Sequence, residues 1–271
     1  MSAETGRAER AGGAPAAGTQ TAGAGAAGTP AAVWEPLSTP RREVYRYLGY
    51  RGIVPDETVR AAAEECIAQL AREVTPRQVR RLLPLTRTVR EDGAERLVIE
   101  GIPVDSLALQ KNLRGCEEIC MMACTLGPGP DRLIRRASVA QMSRAVILQA
   151  ASAAMIEDLC DLVNARIREE AAERGLRTRP RFSPGYGDLP LELQRGISRI
   201  LQMPKTIGVG LTDTLLMTPS KSVTAIVGLV RPGAEGTADG AGGADADPTC
   251  TMAGCALCGA RETCAYRKED S

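Results

Sequence analysis

Apolar residues recur at helical spacing in three stretches of the chain. From Asp56 to about Val74 they return every three or four positions, so we expect Asp56 to cap a helix there. The stretch 131–174 repeats in the same way, with a break at 138–143. A shorter run predicts a helix over 191–201. Helices therefore account for much of the predicted structure.

Runs rich in β-branched and other apolar residues predict strands among these helices. Runs 80–89 and 96–102 flank Asp-Gly, which predicts a hairpin. Run 118–126 is uniformly apolar, as is typical of a buried strand, and runs 212–217 and 223–230 predict two more. Hairpins combined with long helices, without regular βαβ alternation, predict an α+β fold. We expect a twisted, mostly antiparallel sheet packed with long helices.

Composition divides the chain into four parts. Residues 1–32 are almost all small or polar, which predicts a disordered Ala/Gly-rich tail. The folded domain is expected over 33–230, followed by a flexible Gly/Ala/Asp-rich linker over 231–249. Residues 250–271 form a separate cysteine-rich tail that we expect to bind a metal.

The balance of charge and aromatic residues narrows the range of partners. The net charge is +1 and aromatic residues make up 3% of the chain, so neither nucleic acid nor an anionic membrane surface is expected as a partner. No apolar run approaches the ~20 residues of a membrane span, and the chain begins without a signal-peptide pattern, so we expect a cytoplasmic protein. The chain has 0 histidines, which excludes Ser-His and Cys-His catalysis and histidine-containing metal sites.

A Pro/Gly-rich bend over 181–190 concentrates the candidate binding chemistry. Pro184 followed by Gly185 suits a type II turn, because Gly185 can adopt a positive φ. Gly187 adds a second position where a ligand can approach the backbone closely. Arg181 offers a planar fork of donors for a carboxylate or phosphate, and Tyr186 offers a ring face for a cation or a base. Asp188 and the residues after it suggest the start of the next helix.

Three motifs resemble the activation domain of cobalamin-dependent methionine synthase, and in particular its short stand-alone members. Arg-x-x-Pro-Gly-Tyr, from Arg181 to Tyr186, resembles the S-adenosylmethionine-binding motif of that domain. Residues 208–223, which contain Leu-Thr-Asp-Thr and then Met-x-Pro and Ser-Val, are similar to a second segment that follows in the same order. A weaker match is Ala-Cys-Thr-Leu-Gly at 123–127, followed by a helix that carries Glu157.

The resemblance implies an α+β domain that binds S-adenosylmethionine. Arg181 would then hold the ligand's carboxylate, and the bend backbone would line the adenosyl group. Residues 217–223 would form the opposite wall, and Glu157 would line the pocket. The expected S-adenosylmethionine-binding residues are Arg181, Pro184, Gly185, Tyr186, Gly187, Glu157, Met217 and Ser222. An N-terminal Asp and a pair of tyrosines that the full-length synthases carry have no obvious counterpart here.

The implied function is reactivation of a cobalamin enzyme. Cob(II)alamin would be methylated reductively, with catalysis by positioning and with no catalytic side chain in this chain. Because the chain has no histidine, it cannot carry a cobalt-ligating Asp-x-His-x-x-Gly loop, so cobalamin would sit on a partner. The expected partner is a cobalamin-dependent methionine synthase or another corrinoid protein, with flavodoxin or ferredoxin as candidate electron donors. Whether the chain itself counts as an enzyme or as a component of this system stays open.

The cysteines fall into two groups. Cys250, Cys255, Cys258 and Cys264 have the spacing of an all-cysteine metal centre, which can be an iron–sulfur cluster or zinc. Iron–sulfur is favoured because reactivation needs a low-potential electron, which zinc cannot supply. Cys116, Cys120 and Cys124 lie in apolar surroundings and are expected to be core thiols. The alternative function is a non-enzymatic zinc-binding interaction protein on the same fold.

Overall fold

In a computed structural model, the described residues are 37–50 and 53–233. The predicted tail over 1–32, most of the linker, and the cysteine tail with Cys250, Cys255, Cys258 and Cys264 lie outside these residues. The helices are α1 Arg41–Tyr47, α2 Glu57–Glu73, α3 Leu107–Asn112, α4 Gly129–Ala140, α5 Met142–Glu173, α6 Leu193–Leu201 and α7 Met203–Thr206. The strands are β1 Arg77–Pro84, β2 Thr86–Val89, β3 Glu95–Ile99, β4 Ile102–Val104, β5 Cys116–Thr125, β6 Arg177–Thr178, β7 Gly210–Leu211, β8 Met217–Thr218 and β9 Ser222–Val230.

The central sheet has the strand order β1-β5-β9-β6, and each neighbouring pair is antiparallel. The long strands β5 and β9 lie in the middle and are buried on both faces, which explains their continuous apolar sequences. A three-stranded sheet of β2, β3 and β4 and a two-stranded pair of β7 and β8 complete the architecture. The predicted α+β class with a mostly antiparallel sheet is confirmed.

The two faces of the central sheet carry different layers. On one face, the buried residues of β5 and β9 form a cluster with those of α1, α2, α4 and α5. On the other face, they pack with residues of α3, α6 and the small sheet. Successive residues of a strand point to opposite faces, so Val227 joins the first cluster and Ile226 the second. The helix α5 is the main element of the first layer.

Local sequence signals explain how several helices begin and end. The Asp56 carboxylate accepts a hydrogen bond from the backbone N–H of Val59 at 2.9 Å, and so caps α2 as predicted. Ser106 caps α3 in the same way through Leu109 N–H at 3.0 Å. The break predicted within 131–174 falls at Gln141, which separates α4 from α5.

Two predictions about the C-terminal half are wrong. Most of the strand expected over 212–217 is absent: residues 212–216 form the turn between β7, which ends at Leu211, and β8, which begins at Met217. The Thr212 hydroxyl closes this turn by accepting from Leu216 N–H at 3.0 Å, and Leu215 has a φ of 67°. Asp188 does not begin the next helix either, since α6 starts at Leu193.

The core cysteines of β5 are divided between the two faces. Cys120 and Cys124 lie in the cluster under α5, as the strand prediction required, whereas Cys116 lies in the other cluster. All three side chains are buried, and burial raises the pKa of Cys120 to about 12. Among residues 37–50 and 53–233, no group of three or more Cys, Asp or Glu side chains is placed to hold a metal ion. The described helices also include none that is long and apolar enough to cross a membrane.

Candidate functional site

The predicted bend forms a tight, ordered turn. The Ser183 carbonyl accepts from Tyr186 N–H at 3.2 Å, and Gly185 at the third position has a φ of 90°, as a type II turn requires. Gly185 N–H donates to the Leu189 carbonyl at 2.9 Å. Pro184 is buried beneath the turn, whereas the Tyr186 ring is 63% exposed. The bend thus presents one aromatic side chain on a rigid backbone.

Asp188 fastens the bend to α3. Its carboxylate accepts from the Ser106 hydroxyl at 2.5 Å and from the backbone N–H groups of Leu107 and Ala108 at 2.6 and 3.1 Å. Partial burial opposes the charge, but these hydrogen bonds outweigh it, so the pKa of Asp188 is lowered. Gly187 lies against the same helix, because a Cβ at this position would come within 3.2 Å of the Ala108 Cβ.

The residues before the bend run along the free edge of the central sheet. Phe182 exchanges two backbone hydrogen bonds with Ile226 of β9, each 2.8 Å long. Its ring packs against the cluster on the α6 side of the sheet. Because neighbouring residues of an extended chain point to opposite sides, Arg181 is directed toward α5.

Arg181 forms ion pairs with two carboxylates of α5. Its Nη2 donates to Glu157 Oε2 at 2.6 Å, and its Nη1 donates to Asp161 Oδ1. The Arg181 side chain is only 10% exposed, whereas the Glu157 and Asp161 side chains are 42% and 32% exposed. The guanidinium therefore lies beneath two carboxylates that remain open to solvent.

The charge of Arg181 is stabilised by its surroundings. Burial alone would lower the pKa of the guanidinium, but Asp161, Cys160 and Glu157 together outweigh burial, so the pKa of Arg181 is raised. Burial, reinforced by the Glu157 charge, raises the pKa of the nearby Tyr47 phenol. Arg181 is therefore a permanent cation at the base of the site.

The start of the described chain is tied to the same turn of α5. Asp158 accepts from Ser38 N–H at 2.7 Å and from Thr39 N–H at 3.4 Å. Glu157 and Asp158 are adjacent in sequence, so the segment before α1 passes close to the Arg181 site. Three elements meet here: the sheet edge, α5 and the segment that leads into α1.

Met217 and Ser222 lie apart from this cluster. The Ser222 hydroxyl donates to the Pro219 carbonyl at 2.7 Å and forms a second hydrogen bond of 2.8 Å with the Thr125 hydroxyl. Met217 is half-buried and packs against the cluster on the α6 side. Within residues 37–50 and 53–233, no hydrogen bond or ion pair joins either residue to Arg181. Their assignment to the opposite wall of the site stays a prediction.

A separate hollow of about 520 Å³ opens beside α3, and it does not include Arg181 or the bend. It is lined by Arg87, Glu95, Leu107, Gln110, Lys111, Arg114 and Gly115. Arg87 has a structural role in this hollow. It donates to the carbonyls of Cys116 and Leu113 at 2.8 Å each, and it forms an ion pair with Glu95. We therefore place the candidate site at Arg181, which contacts a second predicted binding residue, Glu157, and lies next to the bend in sequence.

Asp161 is the functional candidate that the sequence interpretation missed. Glu157 was expected in the pocket, and Asp161 follows it by one helical turn on α5. Residues at this spacing share a helix face, so a search for acids one turn from Glu157 would have found Asp161. Its partnership with Arg181 becomes visible only once the sheet edge is placed beside α5.

Comparisons with known proteins find similarity to solved structures but no matching family. No protein-family model matches the chain. No curated protein matches it either. A solved structure described as the crystal structure of the MetH reactivation domain bound to AdoHcy is similar to it, at 17% sequence identity and a TM-score of 0.47. The similar region covers 69% of this chain and 74% of that one. At this TM-score, the similarity does not assign the chain to a family.

Proposed function

We propose that this chain binds S-adenosylmethionine between the bend and α5, and supports the reductive methylation of cob(II)alamin held by a separate corrinoid protein. One observation carries the proposal. Arg181 of the Arg-x-x-Pro-Gly-Tyr motif contacts Glu157, and both residues were predicted to bind the ligand from sequence alone. The contact lies beside an ordered Pro-Gly turn whose backbone is open to an incoming group.

The proposed reaction needs no side chain of this chain to act as an acid, a base or a nucleophile. The ligand's sulfonium is already a good leaving group, so one electron and its methyl group convert cob(II)alamin to methylcobalamin and leave S-adenosylhomocysteine. The protein's contribution is to hold the sulfonium in a fixed position facing the cobalt. Arg181 can form up to five N–H hydrogen bonds, and the two carboxylates of α5 occupy two of its donors, so donors remain for a ligand.

The cysteine tail is the second part of the proposal. Cys250, Cys255, Cys258 and Cys264 lie outside the described residues, and their four thiolates would suit an iron–sulfur cluster or zinc. An iron–sulfur cluster would supply an electron, whereas zinc would only order the tail. Iron and zinc analysis of anaerobically purified protein separates these two assignments.

Titration calorimetry with S-adenosylmethionine tests the binding site. Arg181→Ala should weaken binding by about tenfold to a hundredfold, because hydrogen bonds to charged groups are worth about 1.5–3 kcal/mol. Removing one partner of a buried ion pair also destabilises a fold, so Arg181→Lys provides a milder variant and thermal melting checks that both variants fold.

Arg80→Ala is the matched control for this titration. Arg80 also reaches from a strand to α5, where it holds Glu170 through bonds of 2.9 and 2.6 Å, but it lies on β1, away from the bend. This variant should bind S-adenosylmethionine as the wild type does. Equal heats from wild type and a folded Arg181→Ala variant would remove Arg181 from the site.

A further inference from the structure

Arg181 contacts more carboxylates than are needed to balance its positive charge. One carboxylate balances one guanidinium, yet both Glu157 and Asp161 contact Arg181. The three side chains together carry a net charge of −1, counted as one cation and two anions. The second acid is therefore surplus to the charge balance of this buried arginine.

The surplus acid also has a structural cost. Glu157 and Asp161 lie one helical turn apart on α5, a spacing at which like charges repel each other. Arg181 lies between them and reduces this repulsion, but it cannot cancel both charges. A fold that needed only to anchor Arg181 would be served by either acid alone.

Among residues 37–50 and 53–233, the charges described beside this cluster include a further carboxylate and a paired cation. Asp158 adds another carboxylate on the same turn, held by backbone N–H groups of Ser38 and Thr39. Arg46, near the Tyr47 ring, is paired with Glu43 at 2.5 Å. The exposed side of the cluster is therefore negative, and it is formed by the half-exposed oxygens of Glu157 and Asp161.

We propose that Asp161 is a positioning residue that makes this site prefer a positively charged sulfonium over a neutral thioether. The inference rests on the proposed function, since it specifies how S-adenosylmethionine is recognised. Asp161 engages one side of Arg181, so Arg181 cannot fully neutralise Glu157 on the other. Glu157 then keeps enough negative charge to attract the sulfonium.

This preference would serve the direction of the reaction. Methyl transfer converts the sulfonium into the uncharged thioether of S-adenosylhomocysteine, while the adenosyl, carboxylate and ammonium groups stay the same. A site that holds the sulfonium by charge loses that attraction once the methyl has left. Product release is then favoured without any conformational change in the chain.

Calorimetric titration with the two ligands measures the preference directly, because their shared groups cancel in the ratio of dissociation constants. Wild type should bind S-adenosylmethionine about tenfold more tightly than S-adenosylhomocysteine, as expected for one partly exposed charge interaction. Asp161→Asn, which keeps shape but removes charge, should reduce this ratio to about twofold. Asp161→Glu should restore it, and Glu170→Gln, which removes an equivalent ion-pairing acid of α5, should leave it unchanged.

The outcomes separate this inference from the proposed function. If Asp161→Asn keeps the wild-type ratio, or weakens both ligands equally, Asp161 does not set the preference although the site stands. If wild type binds neither ligand, the proposed function fails and the inference with it. Should Asp161→Asn fold poorly, Asp161→Ser provides the same test, because it also removes the carboxylate that engages Arg181 and should reduce the ratio in the same way.

Discussion

At the scale of single residues, Gly185 shows why the bend needs its sequence. Its φ of 90° is open to glycine but strained for residues with a Cβ. A Cβ there would also come within 3.4 Å of the Leu191 side chain, which is an ordinary contact. The constraint on Gly185 is therefore its backbone conformation and not a lack of space.

Gly185→Ala should lower the free energy of unfolding by about 1–2 kcal/mol, because alanine pays the steric cost of the left-handed region. Chemical denaturation of the folded domain measures the change. The matched control is Gly210→Ala, since Gly210 has nothing within 4 Å of a new Cβ and no positive φ. A Gly185→Ala variant as stable as this control would mean that the turn readily takes another conformation.

The residues of the site were predictable to different degrees. Arg181 and Glu157 could be predicted because the resemblance named them, and they are in contact. Asp161 lies one helical turn from Glu157, but its contact with Arg181 could not be predicted, because that contact depends on which turn of the helix faces the sheet edge. That orientation follows from the packing of the whole helix, which no local pattern specifies.

At the scale of elements, Asp188 joins the bend to α3 across a long stretch of sequence. Its carboxylate binds the Ser106 hydroxyl and two backbone N–H groups at the start of α3. The helix is short, with six residues, and so depends on such contacts for its position. A side chain of the bend thereby holds in place an element that precedes it by two strands and two helices.

Asp188→Asn should lower the free energy of unfolding by about 1 kcal/mol at neutral pH, because it replaces charge-assisted hydrogen bonds to the start of α3 with neutral ones. The folded pKa of Asp188 is lowered, so its stabilisation is fully present above the unfolded value of about 4 and is lost as pH falls through the folded value. The stability difference between wild type and variant should therefore shrink below about pH 4.

Denaturation of both proteins across pH 2–7 checks this expectation. Asp213→Asn, on the exposed turn between β7 and β8, is a suitable control because its contact with Arg195 uses the backbone carbonyl. A constant difference between wild type and Asp188→Asn down to pH 2 would show that the carboxylate charge is not the stabilising feature.

Elements with strong local signals were predicted well. The cap at Asp56 and the buried strands β5 and β9 follow from short patterns. The prediction of a strand over 212–217 was wrong. Its apolar residues suggested a continuous strand, whereas the Thr212 side chain closes a turn there. The prediction that Asp188 begins the next helix was wrong because a local pattern assigns such a residue to the helix that follows it. Asp188 instead binds the start of α3, which is distant in sequence.

At the scale of the whole molecule, the site lies where the two layers meet at one edge of the central sheet. β6 has only two residues, so most of β9 has no regular strand on that side, and Phe182 adds a single bridge. Arg181 and the bend lie along the part of this edge of β9 that β6 does not cover. Both are supported from behind by α5 and α3, and this support holds the candidate site in place.

Under the proposed function, the cobalamin would have to be held by a partner protein. With 0 histidines, the chain cannot provide a histidine ligand to cobalt. The exposed sheet edge would then have to face a cobalamin held by a partner. An exposed position for Glu157 and Tyr186 agrees with this arrangement.

A crystal structure of the protein grown with saturating S-adenosylmethionine tests the central claim most directly. We predict ligand density between the bend and α5, with the sulfonium beside Glu157 and the adenosyl group along the backbone of Gly185 and Tyr186. Density for the ligand at another place, or an Arg181 site closed by the protein's own side chains, would contradict the account.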